Sequence, residues 1–233
     1  MRKVVRRGYV ESDERNFNEK NVELLRKASE ECLYLLDRGY KIKNATMFIS
    51  NHYLLSERQR LSLARAITKT EDVVKRREKL LKDTKDITVN IDGFNAIIPI
   101  ETALSNSLLL ECMDGSIRDL ADLKGTYRLI DKTEPAVNLV IKKLKEIGVK
   151  KANFYLDKPI SNAGRLKSLI LDIAKEHEFN TNVEIIDHVD SFLYDKENVI
   201  TGDSVILDNC ISWVNLYKMI IDDLEDVWKI KLL

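Results

Sequence analysis

A chain of 233 residues, 44% hydrophobic and 33% charged, is long enough for one substantial core plus a smaller appendage. No apolar run approaches the roughly 18–20 residues of a membrane helix, and the basic start Met1-Arg2-Lys3 lacks the apolar stretch of a secretory signal, so a cytoplasmic location without a membrane partner is expected. Three widely spaced cysteines, Cys32, Cys112 and Cys210, with no Cys-x-x-Cys pair, argue for buried thiols rather than disulfides or zinc ligands.

The formal net charge of zero hides an asymmetry. Residues 1–86 carry 21 Lys and Arg against 14 Asp and Glu, whereas residues 87–233 carry 17 against 24. A basic segment beside an acidic one suits a nucleic-acid grip next to a metal-binding pocket, and suits equally two surfaces that attract each other.

Periodicity predicts a helical region over residues 1–86. Asn18 should cap a helix running to about Arg38, with Val22, Leu25, Ala28, Cys32 and Leu36 on one face and Gly39 ending it. A second helix covers about 44–53. Ser56-Glu57-Arg58-Gln59 is a capping-box pattern opening a third, which should turn Leu61, Ala64 and Ile67 inward. Its other face would carry Arg58, Ser62, Arg65 and Lys69, and a fourth helix near 71–82 adds Lys75, Arg76, Arg77 and Lys79. Arg58, Arg60, Arg65 and Lys69 are candidate phosphate contacts, although a basic stripe is often only a solvated face.

Beyond residue 86 the pattern changes. Strand-like runs near 87–92, 107–112, 152–157, 183–187 and 198–207 alternate with helices near 95–105, 134–147, 162–178 and 210–222. Such alternation predicts an α/β domain over 87–233 with a mainly parallel sheet.

In a parallel sheet all strands end at one edge, where open α/β folds build their sites. Asp92, Asp157, Asp187 and Asp203 each follow a strand-like run, with Asp208 a little later. Clustered carboxylates repel one another and are costly to desolvate, so such a set usually holds a cation. Oxygen ligands suit Mg²⁺ or Mn²⁺. Any one of these acids is more simply a helix cap or turn residue; the conjunction carries the reading. Asn95 could bond phosphate, fix Asp92 or make a local turn. Glu101, Asp114 and Asp119 compete for the remaining ligand places. Arg118 and Arg128 lie close by in sequence and could bind phosphate, though each more often pairs with a surface acid, and Ser161, Asn162 and Arg165 open a helix whose free amides suit an anion, though capping explains Ser161 fully. No dinucleotide-binding glycine fingerprint, P-loop or nucleophile elbow occurs.

Asp92-Gly93-Phe94-Asn95 after a strand, with Thr201-Gly202-Asp203-Ser204 after a late one, resembles the PIN-like nuclease superfamily, including its NYN branch, over residues 87–222. The resemblance implies a three-layer α/β/α fold in which acids hold Mg²⁺ or Mn²⁺ for RNA phosphodiester hydrolysis. Asp92 matches the first-strand acid and Asp203 the acid of the Thr-x-Asp pattern; Glu101, Asp114, Asp119 and Asp157 compete for the middle places. The whole chain also resembles the domain of unknown function 434 family, through Leu36-Asp37-Arg38-Gly39-Tyr40 and Asn51-His52-Tyr53-x-Leu55-Ser56-x-x-Gln59-Arg60. The expected function is a metal-dependent ribonuclease with RNA as partner; the alternative is an inactive RNA-binding or regulatory protein of the same fold. A homo-oligomer is compatible with the sequence and not specified by it.

Overall fold

In the computed structural model, which describes residues 5–121 and 125–233, the N-terminal region is helical. It comprises α1 (Ser12–Asn16), α2 (Glu19–Asp37), α3 (Ile42–His52), α4 (Glu57–Ala66) and α5 (Thr70–Glu78). Local chemistry sets the boundaries. The Asn18 side chain accepts the Asn21 N–H at 3.0 Å, and Gly39, at φ +88°, ends α2. Ser56 and Gln59 complete the capping box of α4.

The inner face of α4 departs from expectation in part: Ile67 is buried and Leu61 packs against the core as expected, but Ala64 and Ser62 change places. Gln59, Ser62, Leu63 and Ala66 face inward, while Ala64 is exposed. Polar side chains can occupy the inner face because each finds a partner there: Gln59 donates to the Asn16 carbonyl at 2.7 Å and Ser62 to the Gln59 carbonyl at 2.7 Å.

The rest of the chain runs β1 (Thr88–Asp92), α6 (Gly93–Leu104), β2 (Leu109–Glu111), β3 (Ile117–Asp119), α7 (Thr133–Glu146), β4 (Lys151–Asp157) and α8 (Ala163–Glu176). It continues through β5 (Thr181–Ile186), α9 (Val189–Leu193), β6 (Val199–Ile200), α10 (Ser204–Asn209), α11 (Leu216–Asp222) and β7 (Lys229–Lys231). Four strands form a wholly parallel sheet in the order β5-β4-β1-β6. Val89, Ile91, Phe154 and Leu156 pack on one face against α6, α7, α8 and α11, whereas Tyr155 and Val199 pack on the other with α9, α10 and Trp213. Burial on both faces explains the continuous apolar runs of these strands.

Two strand expectations need correction. The run at 107–112 does not join this sheet; β2 pairs with β3 and β7 in a second, three-stranded one. The run at 198–207 is a strand only to Ile200, because Asp203 caps α10 and turns Val205-Ile206-Leu207 helical. A short apolar run reads alike in either state.

The second sheet forms a core with the N-terminal helices, joining Leu25, Cys32, Ile49 and Leu63 to Leu108, Leu110, Leu120 and Leu232. Packing therefore runs across residue 86, and the last strand of the chain seals the helical segment. All three cysteines are buried and free. No helix among the described residues is long and apolar enough to cross a membrane.

Candidate functional site

From β1 the chain moves to β4 and then β5 on one side of the sheet, then returns to β6 on the other. The order thus reverses between β1 and β6, and crevices at such switch points are where open α/β sheets bind ligands. Asp92 ends β1, Asp203 follows β6, and Asp157 ends the neighbouring β4. All three line one cleft of about 320 Å³.

Thr201 ties two of the acids together. Its hydroxyl donates to Asp92 Oδ2 at 3.0 Å and accepts the Asp203 N–H at 3.0 Å. Asn95 donates its side-chain amide to the same Asp92 oxygen. Asp203 uses Oδ1 to accept the N–H groups of Val205 at 2.7 Å and Ile206 at 3.1 Å. Asp157 Oδ1 accepts the Val189 N–H at 3.2 Å. Asp92 and Asp203 are therefore helix caps as well, and the second oxygens of Asp203 and Asp157 have no hydrogen-bond donor among the described residues.

Close backbone approach explains the glycines beside these acids. A Cβ at Gly93 would stand 2.5 Å from Leu156 Cδ2 and 3.0 Å from the Tyr155 carbonyl oxygen, and one at Gly202 would stand 3.1 Å from the Ile117 carbonyl oxygen. Gly93→Ala must displace the buried Leu156 side chain and crowd the Tyr155 carbonyl at the point where Asp92 is held. Its expected cost is about 1–3 kcal/mol, read as a lowered denaturation midpoint.

The electrostatics are strained. Asp92 is only 2% exposed. Burial pushes its pKa up to about 7, opposed by the Asn95 hydrogen bond and reinforced by the charge of Asp190. The Asp190 carboxyl, in α9, is likewise held above the usual range, by loss of solvent and then by Asp203 and Asp157. Beneath them the Tyr217 hydroxyl is buried with no partner among the described residues; desolvation, then the charge of Asp92, raises its pKa. Asp190, exposed beside the cleft, is thus the carboxyl that feels Asp92, Asp157 and Asp203.

Guanidinium groups line the same cleft. Arg118 donates to the Gly202 carbonyl at 2.7 Å and to Asp114 at 3.0 Å. Arg65 lies 3.6 Å from Asp119 Oδ1, so Asp119 lines the cleft but is ion-paired.

Several candidate residues stand elsewhere. Glu101 is fully buried, accepting from Arg7 at 2.7 Å, from Tyr127 at 2.8 Å and from Thr133; it does not line the cleft. Asp114 is enclosed by Arg76 at 2.7 Å, Arg118 and Ser116. Although burial works against it, Arg118, Ser116 and Arg76 hold its carboxyl below the usual range. Both acids are structural because buried cations from distant segments neutralise them. Asp187 pairs with Lys158 at 3.2 Å, and Asp208 with Arg76 at 2.7 Å. Arg58 is spent on Asp13 and on the Leu120 and Gly8 carbonyls. Ser161 and Asn162 donate their side chains to the Tyr127 carbonyl at 2.9 Å and 2.7 Å and so brace a loop. Arg128 and Arg165 are exposed and do not line the cleft, whereas Arg60 and Lys69 lie in grooves that continue from it.

Sequence reasoning missed Thr201 as the link between the acids and Asp190 as the fourth carboxyl. The Thr-x-Asp spacing was the available signal for the first; a five-residue helix after β5 left none for the second.

A hard divalent cation fits this donor set. The side chains offer oxygen only, with one oxygen each of Asp203 and Asp157 uncommitted among the described residues, and a cation would offset the desolvation of Asp92 and Asp190. Among the described residues no three His, Cys, Asp or Glu side chains are placed so that together they could hold a metal ion. The arrangement suits a hydrated ion held by one or two carboxylates, the habit of Mg²⁺.

A family model described as a domain of unknown function (DUF5616) matches residues 81–219, and one described as a protein of unknown function (DUF434) matches residues 24–79. The uncharacterized protein MJ0935 of Methanocaldococcus jannaschii is 35% identical over 185 residues, covering 78% of this chain and 88% of that protein. No solved structure matches. The first match spans Asp92, Asp157, Asp190 and Asp203; the second covers most of the helical segment. The chain thus belongs to the DUF5616 family, with a DUF434 segment packed ahead of its parallel sheet.

Proposed function

We propose that the protein is a divalent-metal-dependent ribonuclease of PIN-like, three-layer α/β/α type. The observation that carries the reading is the meeting of Asp92, Asp157 and Asp203 in one cleft at the switch point, two of them joined through Thr201. Asp203 and Asp157 would hold Mg²⁺ or Mn²⁺, with Asp92 and Asp190 adding charge through its water shell. Such an ion, when bound, makes a water nucleophilic and offsets charge developing on a phosphate. The chain's own residues do the rest. Asn95 and Thr201 fix the Asp92 carboxyl beside the other acids. Arg118 and Arg65 line the same cleft and place positive charge beside the acids, where a phosphate would lie.

The test is incubation of end-labelled, unstructured RNA with the protein in Mn²⁺ or in EDTA. Cleavage in Mn²⁺ alone supports the reading, and intact RNA in both sinks it. One observation favours a non-catalytic RNA-binding protein instead: the guanidiniums of Arg65 and Arg118 already bond protein carbonyls. That reading predicts RNA retained equally in Mn²⁺ and EDTA, without products.

A further inference from the structure

The acidic cleft does not end at the α/β domain. A second groove, of about 270 Å³, shares Ala64, Arg118 and Ser204 with it, and a third, of about 500 Å³, shares Ile42 and Ala64 with the second. Together they make a track from the carboxylates, over the exposed Ala64 of α4, onto the face between α3 and α4. Four cations line the outer part: Lys41 and Lys69 in the second groove, beside Asp72 and the Arg76-paired Asp208, and Lys43 and Arg60 in the third, beside Glu57. Among the described residues none of the four has an ion-pair or hydrogen-bond partner for its side chain, in contrast to Arg58, Arg65, Arg76 and Arg118, which are all committed internally. Lys41 and Lys69 moreover occupy the N-cap positions of α3 and α5 and make no capping bond there. A cation at the positive end of a helix is disfavoured, and local rules broken in this way concentrate at functional sites. Tyr40, 54% exposed, lines the same track and offers a ring face.

We infer that this track carries a single strand of RNA away from the acidic cleft, with Lys41, Lys43, Arg60 and Lys69 on successive phosphates and Tyr40 stacked on a base. Spaced cations with an aromatic platform are how proteins hold unpaired polynucleotide without reading its sequence, and a duplex has no free base face to offer Tyr40. The inference deepens the ribonuclease reading and rests on it for placing a phosphate at the acids.

The test measures binding of a labelled 20-nucleotide unstructured RNA by fluorescence anisotropy in EDTA over a range of salt. Changing Lys41, Lys43, Arg60 and Lys69 together to alanine should weaken binding at least tenfold and reduce the log–log salt slope by about 3, at ~0.7 per single-strand contact. Tyr40→Ala should cost roughly tenfold. Ala64→Trp, which fills the track without altering charge, should also weaken binding. Wild-type affinity and slope in the quadruple variant would overturn the inference, as would equal binding of duplex RNA or no binding by the wild type. A dinucleotide reporter, short enough for the acidic cleft alone, separates the two ideas. Its Mn²⁺-dependent cleavage by the quadruple variant, alongside unchanged 20-mer binding, rejects the track and keeps the nuclease. Track-dependent binding with no cleavage of either substrate keeps the track and rejects the nuclease.

Discussion

Asp92→Asn is expected to stabilise the metal-free protein at pH 8 by up to about 4 kcal/mol, since a pKa unit corresponds to ~1.4 kcal/mol and burial lifts this carboxyl from 3.8 to about 7. The sign follows from proton binding. Between about pH 4 and pH 7 the folded state keeps a proton on Asp92 that the unfolded state has released, so folding loses stability as pH rises through that window and levels off above it. An amide at position 92 carries no charge to desolvate, and its oxygen can still accept from Thr201. Denaturant midpoints in EDTA at pH 5 and pH 8 read the effect: a falling wild-type value and a flatter variant one. A cation supplies the missing half of the argument. At a hundredfold excess over its Kd, Mn²⁺ should add about 2.7 kcal/mol to the wild type at pH 8, and distinctly less to the variant. A variant destabilised at both pH values would mean that Asp92 works as an ionised cap, not as a strained charge awaiting an ion.

Strain of this kind separates what was legible in the sequence from what was not. The capping box at Ser56, the Asn18 cap and the alternation of elements beyond residue 86 were legible because they depend on neighbours three or four residues apart. The placement of Asp92, Asp157 and Asp203 was legible through one topological fact, that parallel strands end at a common edge. Glu101 and Asp114 were not, because what removes them from the site is a partner far along the chain: Arg7 for one, Arg76 for the other. No local pattern records such a pairing. The exchange of Ala64 and Ser62 on α4 was hidden for a related reason. Its inner face is partly polar but satisfied, Gln59 reaching the Asn16 carbonyl across 43 residues, so hydrophobic periodicity found Ile67 and Leu61 but placed Ala64 inside instead of on the groove.

Asp203→Asn is the sharper test of chemistry, because it changes the charge while keeping the fold. Asparagine caps a helix as well as aspartate does, so Oδ1 of the new side chain can go on accepting the Val205 and Ile206 N–H groups, and α10 should stay in place. What changes is the other terminal atom. An uncommitted carboxylate oxygen, the best ligand the cleft presents, becomes an amide nitrogen that donates and cannot coordinate. Losing one electrostatic stabiliser of a developing charge typically costs 10²–10³ in rate, so Mn²⁺-dependent cleavage should fall by roughly that factor. Binding of uncleaved RNA in EDTA should hold or tighten, since a negative charge leaves a wall that faces phosphate. Thr201→Val supplies the contrast: it unties Asp92 from Asp203 without removing either charge, and should slow cleavage less than Asp203→Asn does. Cleavage by Asp203→Asn within about threefold of wild type, a difference below 1 kcal/mol in barrier, would remove Asp203 from the reaction and with it the metal reading of this edge.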